Sequence, residues 1–267
     1  MKVLISLIAA ATLAATPSAV AMRAQGPVAH APHAAAVAHA PHAAAVGHVV
    51  IVQAVPGADV DVVIDGEAVA SDVEPGKVLG PYKLSAGEHE VDFSGPDGLS
   101  QATTLDVAAG SNQDVVLHLP ASVGGAAVVT SYQTPTDPIA PGKARVLVAH
   151  TATVAPADVQ VDGKVVFTNI ANGEFATADV PAGKHVAALL PTGESGPVIL
   201  GPLTVDLTAQ TITMVYALGN PADDSMSLVA HVVRLASDGS LVPATIATGS
   251  AGLAADVRVH PFGRTPS

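Results

Sequence analysis

The chain has 267 residues, 49% of them hydrophobic but only 3% aromatic, with no cysteine and a formal net charge of −12. The missing cysteines exclude disulfides, thiolate zinc sites and an acylated lipoprotein cysteine, and the acidic balance argues against nucleic acid, whose phosphates need a clustered cationic surface. Most apolar residues are Ala and Val, so the core must be built from small and β-branched side chains, which favours sheets over helices.

Met1-Lys2, the apolar run from Val3 to Ala15 and the small-residue exit Ala19-Val20-Ala21 have the layout of a secretory signal peptide over residues 1–21. The run is shorter than the roughly 20 residues of a membrane span. A mature protein starting after Ala21, released or held at the cell envelope without an integral membrane segment, is the expectation.

Residues 22–47 read as a disordered or extended arm. Ala29-His30-Ala31-Pro32-His33-Ala34-Ala35-Ala36-Val37 recurs unchanged as Ala38 to Val46, and Pro32 and Pro41 interrupt any helix. His30, His33, His39, His42 and His48 are the one local concentration of a chemically special side chain. Neutral imidazoles in such number can ligate Zn²⁺, Ni²⁺ or Cu²⁺. The blander reading is a duplicated spacer that tolerates Ala, Pro and His.

The first domain is expected over 48–133. Val49 to Val55 is a continuous apolar run, Asp59 to Asp65 alternates Asp with Val and Ile, and Asp65-Gly66 signals a hairpin. Further strands are predicted at 77–85, 88–93, 101–107, 114–119 and 127–132, divided by Gly- and Pro-containing turns. A stiff Pro-rich linker follows over 134–143. The second domain, 144–236, is predicted to carry strands at 145–150, 158–162, 165–169, 174–180, 184–190, 198–207, 211–218 and 226–235. Residues 237–267 read as a small-residue tail, with Asp238-Gly239 folding the chain back and 256–260 strand-like.

The two domains are copies. Val62-Val63-Ile64-Asp65-Gly66 returns as Gln160-Val161-Asp162-Gly163 with Val159 ahead of it, 97 positions on, and Ala86-Gly87-Glu88-His89 returns as Ala182-Gly183-Lys184-His185. The predicted fold class is all-β: two tandem antiparallel β-sandwiches, immunoglobulin-like or transthyretin-like. Each copy is expected to fold around its own core, with polar contacts between them.

Several acidic and imidazole groups invite a chemical reading. His150 with Asp158 and Asp162 can be an acid/base or metal set, or a strand-end histidine with ordinary structural partners. Asp59, Asp61, Asp65 and Asp223-Asp224 offer oxygen ligands, but no spacing matches a calcium loop, and alternating Asp on a strand is also a solvated face. No phosphate-binding loop, serine nucleophile elbow or paired carboxylate frame is present.

Arg145-Val146-Leu147-Val148-Ala149-His150, Ala155 to Gly163 and Val180-Pro181-Ala182-Gly183-Lys184-His185 resemble the bacterial family of domain of unknown function 4397. The resemblance spans about 48–235 and implies secreted or surface β-sandwich domains, often in tandem, without an assigned activity. Copy one departs from it by carrying Gln53 where copy two has His150. The function expected is a secreted, non-catalytic envelope module for an unidentified cell-envelope or extracellular ligand, with no cofactor. The alternative is a metal-sequestering protein acting through its histidine arm.

Overall fold

A computed structural model describes residues 45–235 and 241–242. The signal-like segment, the arm up to residue 44 with His30, His33, His39 and His42, the Asp238-Gly239 turn and the stretch 256–260 lie outside the described residues. Eight strands build the first sandwich: β1 (Val46–Ala54), β2 (Val60–Ile64), β3 (Glu67–Val73), β4 (Val78–Ser85), β5 (Gly87–Ser94), β6 (Ser100–Val107), β7 (Asn112–His118) and β8 (Val128–Gln133). The second has β9 (Lys143–His150), β10 (Ala157–Val161), β11 (Lys164–Ile170), β12 (Phe175–Pro181), β13 (Gly183–Pro191), β14 (Leu200–Leu207), β15 (Thr211–Leu218), β16 (Ser227–Leu235) and β17 (Leu241–Val242). The described residues are all-β apart from two short 3₁₀ turns, and no helix among them is long and apolar enough to cross a membrane.

Sheet order is β4-β1-β7-β8 and β3-β2-β5-β6 in the first sandwich, and β12-β9-β15-β16-β17 and β11-β10-β13-β14 in the second. Strand for strand, the order repeats. Pairing is antiparallel except for β1 with β7 and β9 with β15, which run parallel. An immunoglobulin domain keeps its first two strands in one sheet, whereas β1 and β2 lie in different sheets here, so of the two expected variants only the transthyretin-like one is left. At the hairpins, Asp65 and Gly66 have φ of 51° and 78°, and Asp162 and Gly163 of 50° and 77°. Positive φ at both central residues is what a two-residue type I′ turn requires. β3, the return arm of the first hairpin, has no counterpart in the predicted strands, because its mostly exposed Glu67-Ala68-Val69-Ala70-Ser71-Asp72 carries no apolar alternation.

Three apolar layers hold four sheets together. Val49, Ile51, Val62, Val91, Phe93, Val115 and Leu117 fill the first sandwich. On the opposite face of the β1–β7 sheet, Val50, Val52, Ala54, Val116 and Tyr132 pack against Leu147, Ala149, Ile212, Met214 and Tyr216 of the second unit. A third, sparser set, including Ala157, Val159, Ile170 and Leu189, lies inside the second sandwich. β1, β7 and β15 are therefore buried on both faces, and continuous apolar runs such as Val49 to Val52 and Met214 to Leu218 are the signature of such strands.

The expectation of separate cores with polar contacts between them is thus corrected. The seam is an apolar layer, and the linker is fastened to it: Ile139 is buried there, Gln210 Nε2 donates to the carbonyls of Ile139 and Ala140 at 2.9 Å each, and Arg145 donates to Asp137 O at 2.8 Å. Sequence alone misses this because a run buried on two faces looks the same whether its second neighbour is a sheet of its own domain or of the next.

Candidate functional site

Matching the two sandwiches residue by residue exposes what separates them. Val49 pairs with Tyr82 in the first unit, and its equivalent Val146 pairs with Ala178. Ile64 pairs with Val91, and its equivalent Val161 with Ala187. Ile51 and Leu117 become Val148 and Ala217 on strands paired in the same parallel register. Every one of these changes removes side-chain volume from an inward-facing position of the second sandwich.

The removed volume is not recovered by closer packing. A cavity of about 100 Å³ lies between the two sheets of the second unit, lined among others by Val148, Val161, Ala178, Ala187, Leu203, Val215 and Leu228. The lining is aliphatic except for Phe167, Thr213 and His185. β6 approaches β1 and β8 at the side of the first sandwich, and β11 approaches β12 at the side of the second. The half-buried Leu203, Val205, Leu228 and Ala230 of β14 and β16 and the exposed Val166 of β11 are among the residues that border the cavity.

The residues singled out from the sequence are dispersed rather than gathered. His150 is buried and donates Nε2–H to Ala155 O at 3.2 Å, with Nδ1 unpartnered in a site where burial pushes its pKa down. Asp158 accepts the backbone N–H groups of Asn169 (2.8 Å) and Gly193 (3.0 Å), with that of Gly193 acting most strongly to hold its carboxyl below the usual range. Asp162 belongs to a different pair, described below. The three do not form one catalytic or metal set. Asp61 of β2 accepts from Asp72 N of the paired β3 at 3.0 Å, and Asp223 accepts from Ser225 N in its own turn at 3.1 Å. No group of three or more possible metal ligands occurs among the described residues. Of the histidine arm only His48 is described: it is half-buried on β1, its backbone N–H bonded to Ser111 O at 2.8 Å.

Two repeated histidines carry a pairing that sequence reading did not assign. His89 Nδ1 meets Asp65 Oδ2 at 2.6 Å and its Nε2 meets Ser85 O at 2.7 Å; His185 repeats this with Asp162 at 2.7 Å and Pro181 O at 2.8 Å. Both ring nitrogens of each face acceptors, and only the imidazolium donates from both. The bond to Asp65 raises the His89 pKa, and at His185 burial opposes protonation but is outweighed by Asp162 and the Pro181 carbonyl. The signal was available, since the Ala-Gly-x-His and Asp-Gly segments recur together. Each pair clips a hairpin tip to its neighbouring strand.

A further polar cluster sits inside the seam. Asp114 of β7 is buried and accepts from Tyr216 Oη of β15 and contacts His231 Nε2 of β16. Burial first, and the neighbouring carboxylate second, raise the Tyr216 pKa well above its usual value. Asn172 Nδ2 joins the units again by donating to Leu119 O at 3.0 Å and Ala152 O at 2.8 Å. These contacts fix the register of the seam. The cavity of the second sandwich takes no part in them.

Compared with known families, residues 47–157 match the model for "Domain of unknown function (DUF4397)". The match covers the first sandwich, the linker, β9 and the first residue of β10. No curated protein matches the chain.

Proposed function

We propose that the chain is exported and acts as a non-catalytic receptor module, made of two copies of the matched domain. The first copy is a solid mount, and the second holds a small apolar ligand between its sheets. The observation that carries this reading is the aliphatic cavity between the sheets of the second sandwich. A well-packed interior resists voids of this size, and cavities lined by Leu, Ile and Phe stay dry and take apolar guests. The absence of carboxylates from the lining fits binding better than acid–base catalysis. The Asp and His groups found near strand ends are committed to turns and hairpins. Export is supported by the layout of Met1 to Ala21, and N-terminal sequencing of secreted protein is expected to start at Met22.

Xenon tests the receptor directly. Methyl resonances of Val148, Leu203, Val215 and Leu228 are expected to shift under a few atmospheres of xenon while those of Ile51, Val115 and Leu117 hold still. Equal response of both sets, or none from either, would remove the basis for the proposal.

A further inference from the structure

Building on the receptor reading, we infer that the second sandwich binds the alkyl chain of a free single-chain amphiphile with an uncharged head group. The space is slender. About 100 Å³ is less than the roughly 150 Å³ of a cavity that takes benzene, and it is bordered by residues of every strand from β9 to β16, so the volume is spread along the sandwich rather than gathered in one block. A flexible chain can thread such a slot, whereas a rigid ring needs its volume in one block and a peptide would carry unsatisfied backbone groups into it.

The chemistry of the wall agrees. Val148, Ala178, Ala187, Leu203, Val215 and Leu228 present only hydrocarbon. The imidazole of His185 at the wall is already bonded on both nitrogens, to Asp162 and to Pro181 O. No Lys or Arg lines the cavity, so nothing in its wall pairs with an anionic head, and the head group remains in the water outside it. A bilayer surface is the less suitable source of the chain, because docking on anionic lipid relies on clustered Lys and Arg, and this chain carries 23 acidic against 11 basic residues.

The test is calorimetric titration of the full mature chain with 1-butanol, 1-hexanol, 1-octanol and benzyl alcohol. Each buried methylene strengthens apolar binding by about fourfold, so affinity is expected to climb steeply along the linear series, at one molecule per chain, with benzyl alcohol well below 1-octanol. Refilling the slot with the first copy's residues, as Val148→Ile/Ala187→Val/Ala217→Leu, is expected to weaken 1-octanol at least tenfold; should that variant not fold, Ala187→Val alone is expected to weaken it in the same direction. Affinity independent of chain length, or unchanged by refilling, overturns the inference. If xenon enters but 1-octanol does not bind, the receptor stands and the alkyl ligand falls; if neither enters, both fall. Sedimentation with phosphatidylcholine vesicles in place of 1-octanol binding also overturns it.

Discussion

Tyr82 and Ala178 occupy the same place in two sandwiches whose strand order is the same but for the added edge strand β17. Around Tyr82 the interior is filled by Ile51, Val91, Phe93 and Leu117; around Ala178 the matching positions hold Val148, Ala187, Leu189 and Ala217 and a cavity opens. Topology is therefore insensitive to substantial loss of interior volume, provided the sheet on the far side stays anchored. The seam supplies that anchor, because β9 and β15 are buried against the first unit even where their other face is loosely covered. Folding duty rests on one face of the central sheet, and the second copy's interior is freed from it.

The largest effect is expected where the anchor is broken. Leu147 is fully buried in the seam, and Leu147→Asp puts an unpaired charge there at a cost of about 5 kcal/mol or more. Denaturant unfolding of the unaltered chain is expected as one transition; the variant is expected to unfold in separated steps or not to fold. Residues 45–133 made alone expose Val50, Val52, Val116 and Tyr132 and are expected to aggregate. A stable, soluble fragment with a transition as steep as the full chain's would show that the seam is dispensable.

The first sandwich is expected to feel what the second has already lost. Leu117→Ala deletes a side chain packed on all sides and is expected to lower stability by about 2–5 kcal/mol, read from the denaturation midpoint. A loss under about 1 kcal/mol would show that the first core is no tighter than the second, since surface-like sites give changes of that size.

Tyr216→Phe takes one donor from the buried Asp114. The expected cost is about 1–3 kcal/mol, and a neutral result would mean the hydroxyl contributes nothing to the seam.

The hairpin clips should give the smallest effect, since Asp65 and Asp162 are about half exposed and exposed pairs are screened by water and salt. Their sign is nonetheless defined. His89 and His185 have raised pKa values, so their contribution is complete below the unfolded value near 6.5 and fades as pH rises through the folded one; Asp65 and Asp162 have lowered values, so theirs is complete above about 4 and fades on acidification. Asp65→Asn and Asp162→Asn are expected to lower Tm more at pH 5.5 than at pH 9. The reverse order would mean the pairs are not ionic.

Much of the fold was legible because strands β5, β6 and β12 and the two Asp-Gly hairpins follow period-2 alternation and turn chemistry that act locally. The seam was not, because Val49 to Val52 states that both faces are covered without naming the cover. β3 was missed for the opposite reason, being an exposed polar edge. Of the site, the ingredients were visible and the arrangement was not: the replacement of Tyr82 by Ala178 becomes meaningful only once pairing places both opposite the same β1/β9 valine. The Asp65–His89 clip likewise joins residues 24 apart that only β2–β5 pairing brings together.

The central claim, that the second interior is underfilled, is tested most directly by adding volume to it. In a packed core, extra methylenes force strain that typically costs about 1–3 kcal/mol, whereas filling a real cavity commonly gains about 0.5–2 kcal/mol. For Ala217→Leu, which restores the side chain of Leu117, equilibrium denaturation is expected to show unchanged or increased stability with an unaltered m-value. A loss of 1–3 kcal/mol would mean that the space is already occupied by the chain's own atoms, and the contrast between the two sandwiches would not stand.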